Sequence, residues 1–160
     1  MTGFEVGAVV TGTVSAIPRP GAIGLFVDLD GERQGFVDVL ILPRRPESWP
    51  AVGTKTTFEV LARRPGQVRL WPLAPEFRSG PLDNGVSEAQ WRARKARYPE
   101  GAILAAEVSD VYAGSYLVRY EGGWSVLEDD GEPPEAGTRA VYQVVRHLDT
   151  TRRTLLRPGT

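Results

Sequence analysis

In the segment Leu25-Phe-Val-Asp-Leu29, Leu25, Val27 and Leu29 share one face of an extended strand, and Phe26 and Asp28 share the other. The same period of two recurs in Gly35-Phe-Val-Asp-Val-Leu40 and in Gly66-Gln-Val-Arg-Leu-Trp71, where Val37, Val39, Val68 and Leu70 point one way. Two further β signals, Val6-Gly-Ala-Val-Val-Thr-Gly-Thr-Val14 and Val52-Gly-Thr-Lys-Thr-Thr-Phe-Glu-Val60, complete a set bounded by glycine and other turn residues. The pattern predicts five short strands within residues 1–72, in the rhythm of a small closed barrel. Such barrels are a common platform for single-stranded nucleic acid.

Alternation assigns Phe26, Phe36, Arg69 and Trp71 to the outer face. Aromatics and an arginine on neighbouring strands form a stacking platform, on which each base contributes on the order of 1 to 3 kcal/mol. Arg63 and Arg64 in the last hairpin, with Arg44 and Arg45 after the third strand, are placed to follow a phosphate backbone. The competing expectation is burial, with Phe36 beneath the loop Leu42–Pro50, where Trp49 is a natural lid, and Trp71 against the linker or the second barrel.

The chain also repeats itself. Phe4–Val14 aligns with Tyr98-Pro-Glu-Gly-Ala-Ile-Leu-Ala-Ala-Glu-Val108, Leu25–Gly31 with Tyr116–Gly122, Pro50–Val60 with Pro134–Val144, and Gln67–Leu70 with the strand near Arg153–Leu156. The order is kept throughout, which predicts a second barrel over 98–160, a degenerate copy with a shorter middle. Residues 73–86, rich in Pro, Gly, Asp and Asn, read as a linker. A helix follows, opened by the capping box Ser87-Glu-Ala-Gln90 and stopped by Tyr98-Pro99. Arg92 and Lys95 give it a basic surface and Trp91 is its anchor. The fold class expected is therefore all-β: two tandem five-stranded OB-fold-like barrels, 1–72 and 98–160, joined by a linker and short basic helix over 73–97.

The segment Phe4–Pro72 resembles the RNA-binding domain repeated in the large ribosomal protein S-one and found also in ribonucleases and polynucleotide phosphorylase. The resemblance lies in the glycines and core positions of all five strand motifs quoted above. It implies an OB-type barrel that binds RNA, with Phe26 as the second aromatic of the second strand and Arg69 as the arginine of the closing strand. The chain departs from that pattern at Ile23, where the family has its first aromatic, at Asp38, where a histidine is common, and at Arg63, where an aspartate precedes the last turn. Asp28 and Asp38 on one face repel phosphate unless an arginine compensates.

Charge sharpens the contrast between the halves. The net charge is −1, but residues 98–160 hold 10 acidic and 6 basic side chains, with Glu128-Asp-Asp-Gly-Glu132 in or near one loop, and Leu117 replaces Phe26 in the copy. That acidic run lacks the alternating spacing of a calcium loop, so no metal is expected. Among the cations only Lys55 and Lys95 are lysine; arginine suits phosphate forks and base stacking. No apolar run is long enough for a membrane span and the N-terminus lacks a signal-peptide pattern, so a cytoplasmic location is expected. With no cysteine, one histidine (His147, expected in an exposed turn) and no phosphate-cradling loop, neither catalysis nor a cofactor is expected. Two functions follow. One is binding of single-stranded RNA on the first barrel, with the helix extending the basic track. The other is a protein-interaction module, an adaptor, regulator or toxin-neutralising partner, in which the barrel has lost its nucleic-acid ligands and exposed tyrosines in the acidic half help dock a protein.

Overall fold

The apolar side chains assigned to the inner face converge on one interior, where Leu25, Val27, Val37, Val68 and Leu70 are completely buried together with Phe58 and Val60. In the computed structural model, strands β1 (Val9–Ala16), β2 (Gly24–Asp28), β3 (Gln34–Asp38), β4 (Lys55–Arg64) and β5 (Gln67–Pro72) pair in the order β1-β2-β3-β5-β4, and β4 closes on β1. All neighbours are antiparallel except β3 and β5. This is an OB-like all-β barrel. The structure describes residues 4–29, 33–64, 66–83, 85–112, 115–120, 123–127, 135 and 137–159; of 64, 109–112, 115–120 and 123–127 only the backbone is described.

The chain divides into two compact units, Met1–Pro81 and Leu82–Thr160. Hydrogen bonds explain where the intervening residues go. Leu73 N donates to Thr57 O (3.1 Å) and Ser79 N to Ile41 O (2.8 Å), so residues 73–81 are strapped to the first barrel. The helix α1 (Glu88–Arg97) belongs to the second unit through Trp91, which is buried and donates its indole N–H to Asp149 (2.8 Å). Its start is the expected capping box: Ser87 Oγ accepts from Gln90 N (3.1 Å) and Gln90 Oε1 from Ser87 N (2.9 Å).

In the second unit, β6 (Ile103–Tyr112), β7 (Ser115–Tyr120), β8 (Gly123–Leu127), β9 (Arg139–Leu148) and β10 (Arg153–Pro158) pair in the cyclic order β6-β7-β8-β10-β9. Leu104, Ala106, Tyr142, Val144 and Leu156 form its core. Each unit contains hydrogen bonds of the same kind. Gly7 N donates to Val60 O (2.8 Å) and Gly101 N to Val144 O (2.8 Å); Val14 N donates to Thr54 O (2.8 Å) and Val108 N to Thr138 O (3.0 Å). The β-bulge between Val14 and Ala16 has its counterpart between Val108 and Asp110. No helix among the described residues is long and apolar enough to cross a membrane.

Candidate nucleic-acid interface

Strand register brings three of the expected residues into one row across the outer face of the first barrel. Phe26 on β2 stands opposite Phe36 on β3, and Phe36 opposite Arg69 on β5. The two rings meet at 5.2 Å between centroids, tilted by 54°, within the contact range of favourable aromatic pairs. Arg69 lays its guanidinium over the far side, 4.8 Å from the Phe36 ring centre. Below this row lies a polar one, Asp28, Gln34 and Gln67, made by the next register positions.

The start of β2 is shaped to receive the Phe36 ring. Gly24 has φ +142°, and a methyl group there would sit 2.1 Å from the Val37 carbonyl oxygen and 2.8 Å from Phe36 Cζ. Only glycine therefore lets β2 approach β3 with the ring lying across it.

Two aromatics expected on an open face are covered. Phe36 is only 7 % exposed, because Arg69 and Phe26 flank its ring and Gly24 admits it to the sheet. Trp71 is 9 % exposed, opposite Glu59, which is itself buried. Alternation set the face correctly, but large rings gain by burying their area, and neighbouring strands supplied the cover. Phe26 is half-buried. Trp49 is buried in the loop expected to hold it, with its indole N–H donating 2.7 Å to Pro43 O.

The charges divide into engaged and exposed sets. Arg69 lies 3.6 Å from Asp38, so the arginine that compensates this carboxylate is the one stacked on Phe36. The other Asp38 oxygen accepts Leu40 N (2.9 Å) and tightens the turn after β3. Arg44 and Arg45 are exposed just before a 3-10 turn, Pro46–Ser48, and Arg63 is half-buried near the end of β4. The side chain of Arg64 lies outside the described residues.

On α1, Arg92 pairs with Glu88 one turn earlier (2.6 Å) and Lys95 binds Asp149 (2.8 Å) while lying 5.6 Å from the Trp91 ring centre. The hydrogen bond from Lys95, then that from Trp91, holds the Asp149 carboxyl below the usual aspartate value. Lys95 therefore ties the helix to the strands of the second unit, which sequence spacing could not reveal because Asp149 is remote in the chain, whereas Arg92 pairs within its own helix.

Two further expectations are corrected. His147 is not an open turn residue: it is half-buried on β9, its Nε2 donates 2.7 Å to Tyr98 O, its Nδ1 is 3.1 Å from Thr154 Oγ1, and Trp91 meets its ring edge-on at 5.3 Å. The exposed tyrosines expected of the acidic half do not include Tyr142, which is 1 % exposed and whose hydroxyl pKa burial pushes up. The side chain of Leu117 and the acidic run 128–132 lie outside the described residues. Among those described, no group of three or more His, Cys, Asp or Glu side chains gathers to hold a metal.

No family model matches the chain, and no curated protein matches it. Among solved structures it is similar to a multidomain protein with nucleic acid binding domains from Streptococcus pneumoniae, at 15% identity over 96% of this chain and 51% of that one, TM-score 0.35. It is similar also to GSP13 from Bacillus subtilis, at 29% identity over 61% of this chain and 79% of that one, TM-score 0.40. A third likeness is to the a/eIF2alpha-aDim2p-rRNA complex from Pyrococcus horikoshii, at 21% identity over 57% of this chain and 51% of that one, TM-score 0.37. The chain thus spans about half the length of the streptococcal protein.

Proposed function

We propose that this chain is a non-catalytic, cytoplasmic protein that binds single-stranded RNA on the outer face of β2, β3 and β5. The observation that carries the reading is the row Phe26–Phe36–Arg69, in which a buried ring buttresses a half-buried one and an arginine. A base stacks on the part of Phe26 left open, and Arg69 turns from Asp38 to the adjoining phosphate, a charge-assisted contact stronger than its 3.6 Å approach to the carboxylate. The preference for RNA over DNA comes from the resemblance of Phe4–Pro72 to the S-one domain. We read the second ring of strands as a second, degenerate copy of the barrel, a reading supported by the paired hydrogen bonds at Gly7 and Gly101. Its acidic composition makes it the weaker binder.

The test is fluorescence anisotropy with a short mixed-sequence single-stranded RNA at low and moderate salt. Saturable binding is expected, with log K falling by about 0.7 per phosphate neutralised for each unit of log salt. The double variant Phe26→Ala, Arg69→Ala should lose it. Absence of binding by the wild type at low salt overturns the reading and favours a protein partner.

A further inference from the structure

Beside the stacking row, at the far end of β3, the first unit contains a half-open cavity of about 460 Å³, within the usual range for small-ligand sites. Leu40, Leu42, Pro43 and Trp49 supply apolar lining, Ser79 a hydroxyl, and Arg44 a cation. The walls are rigid where they matter: Trp49 is tied to Pro43 O, and Ser79 to the carbonyl of Ile41 through its N–H (2.8 Å) and hydroxyl (3.1 Å).

Asp38 connects this cavity to the row, because one carboxylate oxygen faces Arg69 and the other holds Leu40 N. Leu40 lies in the turn just past β3, four residues from Phe36, so the two are at most about 13 Å apart at roughly 3.3 Å per residue. The rim is cationic. The turn Arg19–Ala22 reaches the loop that carries Arg44 and Arg45, since a methyl group on Gly21 would lie 3.1 Å from Pro46 Cγ. Arg19, Arg44 and Arg45 are all exposed, and Glu47 is the acidic residue of the adjoining 3-10 turn.

We propose that this cavity is a nucleotide subsite of the same RNA strand, resting on the reading above: the base enters between Leu40 and Trp49, and Arg44, with Arg19 and Arg45, takes the flanking phosphates. A slot lined by both apolar and polar groups, with a guanidinium at its rim, fits a nucleotide, whose planar base packs on apolar side chains and whose phosphate pairs with arginine. The subsite extends the platform beyond Phe26 and so makes affinity depend on strand length.

The experiment compares single-stranded RNAs of about 4 and about 8 nucleotides, within the site sizes of one OB barrel. Three proteins are measured: wild type, Leu40→Trp to fill the cavity mouth, and Arg44→Ala. Leu40 is 56 % exposed and Arg44 lies on the surface, so both variants should fold. The wild type should bind the longer RNA about tenfold more tightly than the shorter; Leu40→Trp should lose that gain while binding the shorter RNA as the wild type does, and Arg44→Ala should weaken the longer RNA more than the shorter. Equal binding of the longer RNA by all three proteins overturns the subsite and leaves the platform standing. No binding of either RNA by the wild type overturns both.

Discussion

Arg69 is held between two attractions: its guanidinium carbon lies 4.8 Å from the centre of the Phe36 ring, and its NH1 lies 3.6 Å from Asp38 Oδ2. The carboxylate competes with any phosphate for the same cation. Both side chains are about one-fifth exposed, which weakens the pair by solvent screening and leaves the arginine transferable.

Asp38→Asn should therefore strengthen RNA binding several-fold and steepen its salt dependence. An asparagine side-chain oxygen can still accept Leu40 N, so the turn after β3 is kept. Stability should change by less than about 1 kcal/mol. Parallel anisotropy titrations and urea unfolding check this; weaker binding by the variant would show that Arg69 does not meet phosphate.

The two phenylalanines of the row should separate stability from binding. Phe36→Ala removes a covered ring and should cost roughly 3 kcal/mol or more of stability. Phe26→Ala, at the half-buried position, should cost less stability yet lower RNA affinity about tenfold, the equivalent of about 1.4 kcal/mol of lost stacking. Chemical denaturation and binding isotherms on both variants decide the point. A binding loss confined to Phe36→Ala would place the contact elsewhere.

Gly24→Ala should unfold or severely destabilise the first unit, because the added methyl meets a backbone carbonyl at 2.1 Å in a conformation, φ +142°, that alanine resists. Gly53→Ala provides the control. It shares a positive φ, +97°, but its methyl meets nothing within 4 Å, so only the backbone cost of about 1 to 2 kcal/mol remains. Thermal melting of the two variants should differ widely; similar melting would mean that the close approach of β2 to β3 is not required.

In the second unit, Asp149 carries a pH dependence of known sign. Its folded pKa is depressed, first by the hydrogen bond from Lys95 and then by that from Trp91, relative to 3.8 for the free group. The carboxylate's contribution is thus fully present above that value and is lost as pH falls through the lower folded one. Because the side chain is 69 % exposed, the contribution should be below about 1 kcal/mol. Urea midpoints measured from about pH 5 downward should fall further for wild type than for Asp149→Asn; parallel curves would show that the contact adds no stability.

The inner faces of β2, β3 and β5 and the start of α1 were legible from residues in order, because alternation and a capping box act between near neighbours in the chain. The exposure of Phe36 and Trp71 was not legible. A strand dictates which way a side chain points, but Phe36 is covered by Arg69, Phe26 and the close approach that Gly24 allows, and Trp71 stands opposite buried Glu59, neighbours that only strand register brings together. The same holds for Lys95 and His147, whose partners Asp149 and Tyr98 O are distant in sequence, and for the cavity beside β3, which exists because Ser79 is tied back to Ile41. Local pattern selects faces, and long-range contact decides what those faces still present to a ligand.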